Sequence, residues 1–133
     1  MKKGLKENIE KATLENSDFR KVLYTGEHSQ LVLMSLLPKE EIGLEIHQDN
    51  DQFFRFERGQ GQVIINDTVY DVSDGDAVIV PAGAQHNIIN VSSLEPLKFY
   101  TIYSPAHHKD GIVMKTKSDA EQSKEEFDGV TTE

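Results

Sequence analysis

One histidine in the middle of the chain stands directly behind a predicted turn. Residues 75–90 read GDAVIVPAGAQHNIIN, in which one apolar run ends at Pro81 and a second begins just after His86. Proline and glycine favour tight turns, and Gly83 can adopt the positive φ that such turns often require. His86 is therefore either a surface histidine beside a turn or a side chain that re-enters the protein facing inward.

The alternation of side chains along a strand sorts the other polar candidates by face. Every second residue of a strand points to the same side, so Gln52, Phe54 and Phe56 share one face, which is predicted to be the inner one. By the same rule, His47 and Asp49 lie on a common face.

Short segments typical of β-strands must position these side chains. They are rich in β-branched and aromatic residues and are separated by proline, glycine and Asn-Asp turns, which predicts an all-β sandwich or barrel. The segments are residues 30–37, 42–47, 52–57, 62–67, 69–72, 76–81, 87–91 and 97–104. We predict three regions: an N-terminal segment (1–28), a β-barrel (29–104), and a C-terminal loop and tail (105–133).

The C-terminal tail is polar and contains one helix signal. Ser118 is followed three residues later by Glu121, a spacing typical of a capping box, and this predicts a short helix through about Phe127. We expect this helix to be a solvated cap on the barrel, with a partner-binding tail as the alternative.

Composition excludes several classes of function. The 133 residues include 23 acidic and 14 basic side chains, for a net charge of -9, so nucleic acids and anionic membranes are not expected partners. No cysteine is present, which excludes disulfides, thiolate metal sites and a cysteine nucleophile. The charged start of the chain is not followed by an apolar stretch, and no apolar run is long enough to span a membrane. The sequence predicts a cytoplasmic location.

Two spacings carry a resemblance to a known family. From Gly75 to Asn90 the pattern is G-x5-P-x-G-x2-H-x3-N, which matches the second motif of the cupin family throughout. The family's first motif, G-x5-H-x-H-x3–4-E-x6-G, is matched only in part by residues 43–59. The resemblance covers roughly residues 29–104. It implies an all-β cupin double-stranded β-helix, a jelly-roll barrel, here with a short C-terminal helix.

The partial first motif implies an unusual metal site. His47 resembles the first motif histidine, Asp49 stands in place of the second, and Gln52 stands in place of the glutamate. If the two β-ribbons lie side by side, His47, Gln52 and His86 converge inside the barrel. There they need mutual partners or a metal, because an unpaired buried polar group costs about 1–3 kcal/mol. Nitrogen and oxygen ligands suit Mn, Fe, Co, Ni, Cu or Zn. Alternatively, Gln52 is a hydrogen-bonding amide and Asp49 lies in a solvated loop.

Two classes of function follow from the resemblance. One is a metal-dependent enzyme, isomerase-like or dioxygenase-like, with Glu45, Tyr103 or a histidine as the proton-transfer partner. The chain resembles the small cupins grouped with mannose-6-phosphate isomerase, although Arg55 and Arg58 are expected outward or at a turn and so unable to hold a phosphate. The other class is a non-enzymatic binder or sensor of a sugar or small aromatic ligand, enclosed by Phe54, Phe56, Phe99 and Tyr103.

Two further expectations concern the ends of the barrel segment. His107 and His108 follow the last predicted strand, and we favour a solvated loop over a pocket lid for them. Residues 30–37 form an apolar strand whose uncovered edge would invite aggregation, so the sequence predicts a homodimer that pairs across it.

Overall fold

Two antiparallel sheets make up most of the protein. The computed structural model describes all 133 residues. Its elements are α1 (Ile9–Glu15), β1 (Arg20–Thr25), β2 (Gln30–Leu36), β3 (Glu45–Ile46), β4 (Asp51–Arg58), β5 (Gln60–Ile65), β6 (Thr68–Ser73), β7 (Ala77–Val80), β8 (Gln85–Asn90), β9 (Leu97–Ser104), β10 (Val113–Met114) and α2 (Lys117–Gln122). The strand order is β10-β1-β2-β9-β4-β7 in one sheet and β3-β8-β5-β6 in the other. This confirms the predicted jelly-roll fold.

The inner face of the larger sheet is the one that alternation predicts. Gln52, Phe54 and Phe56 of β4 are all buried. The rings of Phe54 and Phe56 pack on Phe99 of β9, with centroids 5.9 and 5.2 Å away. These contacts build an apolar core that fills one end of the barrel.

Two glycines of the family motifs have clear backbone reasons. Gly83 has φ +87° in the turn after Pro81, and its N–H donates to the carbonyl of His47 at 2.9 Å. Gly59 has φ +105°, and a Cβ there would lie 2.5 Å from the carbonyl oxygen of Pro96. Both positions therefore need glycine. The Pro81–Gly83 corner also answers the question about His86, because the chain re-enters as β8 with His86 only 3% exposed.

The sheet contains strands that we did not predict. β1 pairs with β2 along one side, and β10 extends the sheet beyond β1. Helix α1 begins at Asn8, whose side chain accepts the N–H of Lys11. The N-terminal segment is mostly polar in sequence, but α1 and β1 are ordered because they pack on the barrel.

The pairing of β2 changes the basis for the predicted homodimer. β2 has β1 on one side and β9 on the other, so it is an interior strand and not an uncovered edge. The edge on which that prediction was based is therefore absent, and the homodimer itself stays a prediction.

The C-terminal helix exists, but its bounds differ from those predicted. Thr116 is the N-cap, forming a capping box with Asp119, and the helix ends at Gln122. The predicted cap at Ser118 and extension to Phe127 were wrong. The chain leaves the helix early because the N–H of Phe127 donates to the carbonyl of His107 at 3.0 Å. The longest helix has only seven residues, and no helix is long and apolar enough to cross a membrane.

Candidate metal centre

Three side chains at the other end of the barrel bring possible metal ligands together. Potential ligand atoms of Glu45, His47 and His86 all lie within 4.8 Å of one another. One carboxylate and two imidazoles form a set that suits divalent transition metals.

The pairing of two strands explains this cluster. Glu45 of β3 lies directly opposite His86 of β8 in the antiparallel register, and side chains opposite each other in such a pair come close on one face. His47 follows Glu45 by two residues and is held at its carbonyl by the turn at Gly83. Local alternation and the motif turn together therefore place all three groups.

An unsatisfied buried nitrogen supports a metal at this point. Nε2 of His47 lies 2.8 Å from a carboxylate oxygen of Glu45. The approach does not have hydrogen-bond geometry, so this buried Nε2 has no hydrogen-bond partner. A buried polar atom without a partner is costly, and a cation between the carboxylate and the imidazole would satisfy both groups. The donor set therefore fits a divalent metal.

The protonation states of Glu45 and His86 suit metal binding. Burial alone would raise the pKa of Glu45, but contact with His47, with further contributions from Arg20 and His86, lowers it below the usual value. Burial also lowers the pKa of His86, against the opposing effect of its hydrogen bond to Ala84. At neutral pH Glu45 is a carboxylate and His86 a neutral imidazole, the forms in which they bind metals.

The hydrogen bond to Ala84 also orients the His86 ring. Its Nδ1 lies 3.1 Å from the carbonyl oxygen of Ala84. A carbonyl only accepts, so Nδ1 must carry the proton, which leaves Nε2 with the free lone pair. Metal-binding histidines commonly have such a partner on the other ring nitrogen.

The structure places the other two predicted ligands differently. Asp49 is exposed, because β3 ends at Ile46 and the alternation that was expected to align it with His47 does not continue. Gln52 points inward at 2% exposure, and its Nε2 donates to Thr101 Oγ1 at 3.0 Å. Its buried Oε1 has no hydrogen-bond partner. Gln52 therefore remains available as a neutral oxygen donor.

Neighbours of Asp49 have structural roles instead. The Asn50 side chain donates to the carbonyls of Pro105 and Ala106 at 2.5 and 3.3 Å. Asp51 accepts the N–H of Ala82 at 2.9 Å. This polar loop therefore holds together the segments around the cluster.

Tyr103, predicted as a proton-transfer residue, is fully buried beside the cluster. Its ring centroid lies 5.7 Å from that of His47, and its hydroxyl lies 3.1 Å from His108 Nε2. Burial raises the pKa of Tyr103 well above its usual value. The phenol therefore keeps its proton and serves as a hydrogen-bonding group.

His107 and His108 belong to the site, contrary to the expected solvated loop. The His107 ring lies 4.3 Å from the His47 ring and stacks on Tyr103 at 5.3 Å. Burial, and then the neighbouring His108 and His47, lower the pKa of His107 to about 4. His107 is therefore neutral at neutral pH. The sequence offered only a histidine pair shortly after the last predicted strand. No motif spacing indicated that the pair belongs to the site.

The C-terminal tail closes over this end of the barrel. Glu125 lies 2.6 Å from His108 Nδ1 and accepts the N–H of Lys109 at 2.8 Å. Glu126 and Phe127 line a pocket of about 340 Å³ together with His47, Asp49 and His107. The pocket gives a small molecule a route to His47. A second pocket, of about 380 Å³, lies at the far end of β4 and has no histidine.

Comparison with known proteins agrees with this architecture. The cupin domain profile matches residues 32–103. The chain is 47% identical over 119 residues to the uncharacterised protein YrkC of Bacillus subtilis, covering 85% of this chain and 63% of that protein. It is 48% identical over 109 residues to the uncharacterised protein L612 of Acanthamoeba polyphaga mimivirus, covering 80% of this chain and 68% of that one. The chain thus spans less than two thirds of the B. subtilis relative.

A solved structure shows the same fold over nearly the whole chain. The crystal structure of BH2720 from Bacillus halodurans superposes with a TM-score of 0.89 at 41% identity, covering 91% of this chain and 96% of that one. The matched profile spans more than half of the chain and includes both motif regions. The chain belongs to the cupin family.

Proposed function

We propose that this cupin binds a divalent metal through Glu45, His47 and His86 and acts as a metal-dependent enzyme on a small metabolite. The observation that carries the proposal is the convergence of the three ligand groups within 4.8 Å, with the buried Nε2 of His47 unsatisfied. Glu45 was predicted as a proton-transfer residue, and this proposal gives it the carboxylate position in place of Asp49.

The ligand composition favours chemistry at open coordination positions. Two histidines and one carboxylate are typical of sites that leave room for dioxygen or a chelating substrate. When bound, the metal would supply Lewis acidity toward a substrate carbonyl or hydroxyl and, if it is redox-active, electron transfer. We therefore favour dioxygenase-like over isomerase-like chemistry.

The isomerase-like alternative has less support. A sugar-phosphate isomerase needs cationic groups beside its substrate, but Arg55 pairs with Glu57 at 3.0 Å and Arg58 with Glu95 at 3.7 Å. Both arginine side chains are substantially exposed to solvent. The mannose-6-phosphate isomerase grouping accordingly stays a second hypothesis.

Residues around the cluster divide the remaining tasks. Tyr103 keeps its proton and donates or accepts a hydrogen bond without acting as a base. His107 is neutral and lines the pocket, where its ring can form a hydrogen bond with a ligand. Phe127 and Glu126 of the tail line the same pocket.

A non-enzymatic binder of a sugar or aromatic ligand is the alternative function. Phe54, Phe56 and Phe99 were expected to enclose such a ligand. Instead they are fully buried and packed against one another. In either case the ligand must lie at the pocket beside His47 and not among these rings.

Metal analysis and turnover assays test the proposal. We expect the purified protein to contain about one divalent metal per chain, and oxygen consumption with phenolic or diketone substrates to require it. Turnover of sugar phosphates would favour the isomerase hypothesis. A ligand-dependent rise in melting temperature without any turnover would favour the binder, and failure of Mn, Fe, Co, Ni, Cu and Zn all to bind would reject a metal centre.

Assembly and location are further proposals. A homodimer predicts a mass near twice 15.0 kDa by light scattering, and a concentration-independent monomer mass would reject it. The proposed cytoplasmic location can be tested by fractionation of cells that express the protein.

A further inference from the structure

A buried arginine inside the barrel has no ionic partner. Arg20 of β1 lies opposite Met34 of β2 and Met114 of β10, both buried. It therefore shares their inward face, and it is only 8% exposed. Its guanidinium carbon lies 5.3 Å from the centroid of the Phe19 ring. A strand position that normally holds an apolar side chain is thus occupied by a cation.

The other two arginines of the chain show how unusual this is. Arg55 and Arg58 each have a glutamate within 4.0 Å, although both side chains are far more exposed. None of the ion pairs in the structure includes Arg20. Its buried Nε, like that of Arg55, has no hydrogen-bond partner, but Arg55 has Glu57 beside it. A guanidinium cannot lose its charge in a protein, and an unpaired buried charge is strongly destabilising.

The charge of Arg20 reaches the metal end of the barrel. Burial is the largest influence on the pKa of each of five groups there. The positive charge of Arg20 also lowers the pKa of each group. The groups are Glu45, Tyr103, His107, His108 and Glu125. Arg20 therefore faces the interior that contains the proposed metal ligands.

Neither carboxylate of this interior pairs with Arg20. Glu45 lies 2.8 Å from His47, and Glu125 is bonded to His108 and to the N–H of Lys109. The interior therefore contains a cation with which no anionic group of the protein is paired.

We propose that Arg20 is an anion-binding residue, which holds the carboxylate or phosphate group of a small anionic ligand inside the barrel. A guanidinium binds such oxyanions with two parallel hydrogen bonds. The inference deepens the proposed function, since it names the class of substrate for the barrel interior that contains the proposed metal ligands. Its basis in Arg20 is nevertheless independent of whether a metal binds.

Anion binding to chelator-treated, metal-free protein tests the inference. The probes are inorganic phosphate and malonate, added at low ionic strength to the wild type, Arg20→Met and Arg20→Lys. Arg58→Met is the matched control, because Arg58 is an exposed arginine. We expect a saturable rise in melting temperature for the wild type and the control with at least one probe. Affinity should fall at least about tenfold in both Arg20 variants, since lysine lacks the two-pronged geometry.

Stability without the probe gives a second readout. Arg20→Met should be at least as stable as the wild type, because it removes a buried charge that has no partner. Equal probe binding by the wild type and Arg20→Met, or no saturable binding by the wild type, would overturn the inference. If Arg20→Met does not fold, Arg20→Lys binding the probes as tightly as the wild type would overturn it.

Metal titration of the same variants separates the two proposals. Arg20→Met should bind divalent metal at least as tightly as the wild type, since a nearby positive charge is removed. A protein that binds the probe through Arg20 but binds no metal would reject the proposed function alone. A protein that binds metal but neither probe would reject the anion site alone. A response to phosphate only would favour phosphorylated substrates, and a response to malonate only would favour carboxylates.

Discussion

Strands β2, β4 and β9 carry two very different rows of side chains across the same inner face. Gln30, Gln52 and Tyr103 lie opposite one another near the metal end, and Met34, Phe56 and Phe99 do so further along the strands. All six are buried. The backbone pairing is equivalent, so the difference lies in the side chains alone.

The polar row is built to hold other residues in place. Gln30 donates to the carbonyl of His108 at 2.8 Å, and its Oε1 accepts the N–H groups of His107 and His108 at 3.1 and 3.0 Å. An apolar row gains its stability from area removed from water, whereas a polar row requires a partner for each group. One end of the barrel therefore supplies stability, and the other positions the site.

Truncation in the apolar row should have the largest effect on stability. We expect Phe56→Ala to lower the free energy of unfolding by about 3–5 kcal/mol, because it leaves a cavity among closely packed rings. Phe53→Ala is the control, since Phe53 is half-buried on the outer face of the same strand. Urea unfolding measures both, and equal losses would show that the apolar row is not the main source of stability.

Loss of a proposed metal ligand should affect metal binding more than stability. His86→Ala should weaken divalent-metal binding by more than about a hundredfold, more than the loss of a group that merely orients a ligand. The free energy of unfolding of the metal-free protein should fall by less than in Phe56→Ala, because the imidazole is smaller than the phenyl ring and packs outside the apolar row. Chelator competition and urea unfolding give the two values.

His28→Ala provides the matched control for His86, because the His28 side chain is 93% exposed. It should leave both metal affinity and stability unchanged. Full metal occupancy in His86→Ala would show that His86 is not a ligand.

Substitution of Gln52 tests whether this residue of the polar row is a metal ligand. If its unsatisfied Oε1 binds the metal, Gln52→Glu should tighten binding by about tenfold, since a carboxylate adds a negative charge in a poorly screened interior. Gln52→Leu keeps the approximate volume without the oxygen and should weaken binding. Equal affinities for the wild type and both variants, by chelator competition, would make Gln52 a structural residue that serves Thr101.

A pH dependence of stability is expected at the mouth of the pocket. The pKa of His107 is about 4 in the folded protein, against 6.5 for an unperturbed histidine. The unfolded chain therefore binds a proton first, and stability is fully present above about pH 6.5 and is lost as pH falls toward 4. His107→Gln should flatten this dependence by up to about one proton. Thermal or urea unfolding of the metal-free proteins between pH 7 and 4 measures the difference, and identical slopes would contradict the assigned environment.

Most of the barrel could be predicted because its signals are local. The alternation that placed Gln52, Phe54 and Phe56 inward holds along β4, a strand of eight residues. The turn at Pro81 and Gly83 required only proline and glycine chemistry. The inward position of His86 was predicted from that turn, and it is observed.

Where a strand ends, its alternation no longer predicts the direction of the next side chains. Asp49 was placed beside His47 by extending strand alternation past Ile46, where β3 ends. Glu45 was expected in the pocket, but its approach to His47 and His86 depends on the β3–β8 register. A two-residue strand carries too little pattern to predict its partner.

The sequence by itself therefore determined the family, the two antiparallel sheets, the inward face of β4 and the inward turn of His86, because periodicity, turn chemistry and motif spacing are properties of neighbouring residues. Tertiary structure alone decided that Glu45 joins the cluster, that His107 and His108 pack beside Tyr103, and that Arg20 is buried without a partner. Those outcomes depend on contacts between residues far apart in the chain, such as the pairing of β1 with β2 and the docking of the tail on His108.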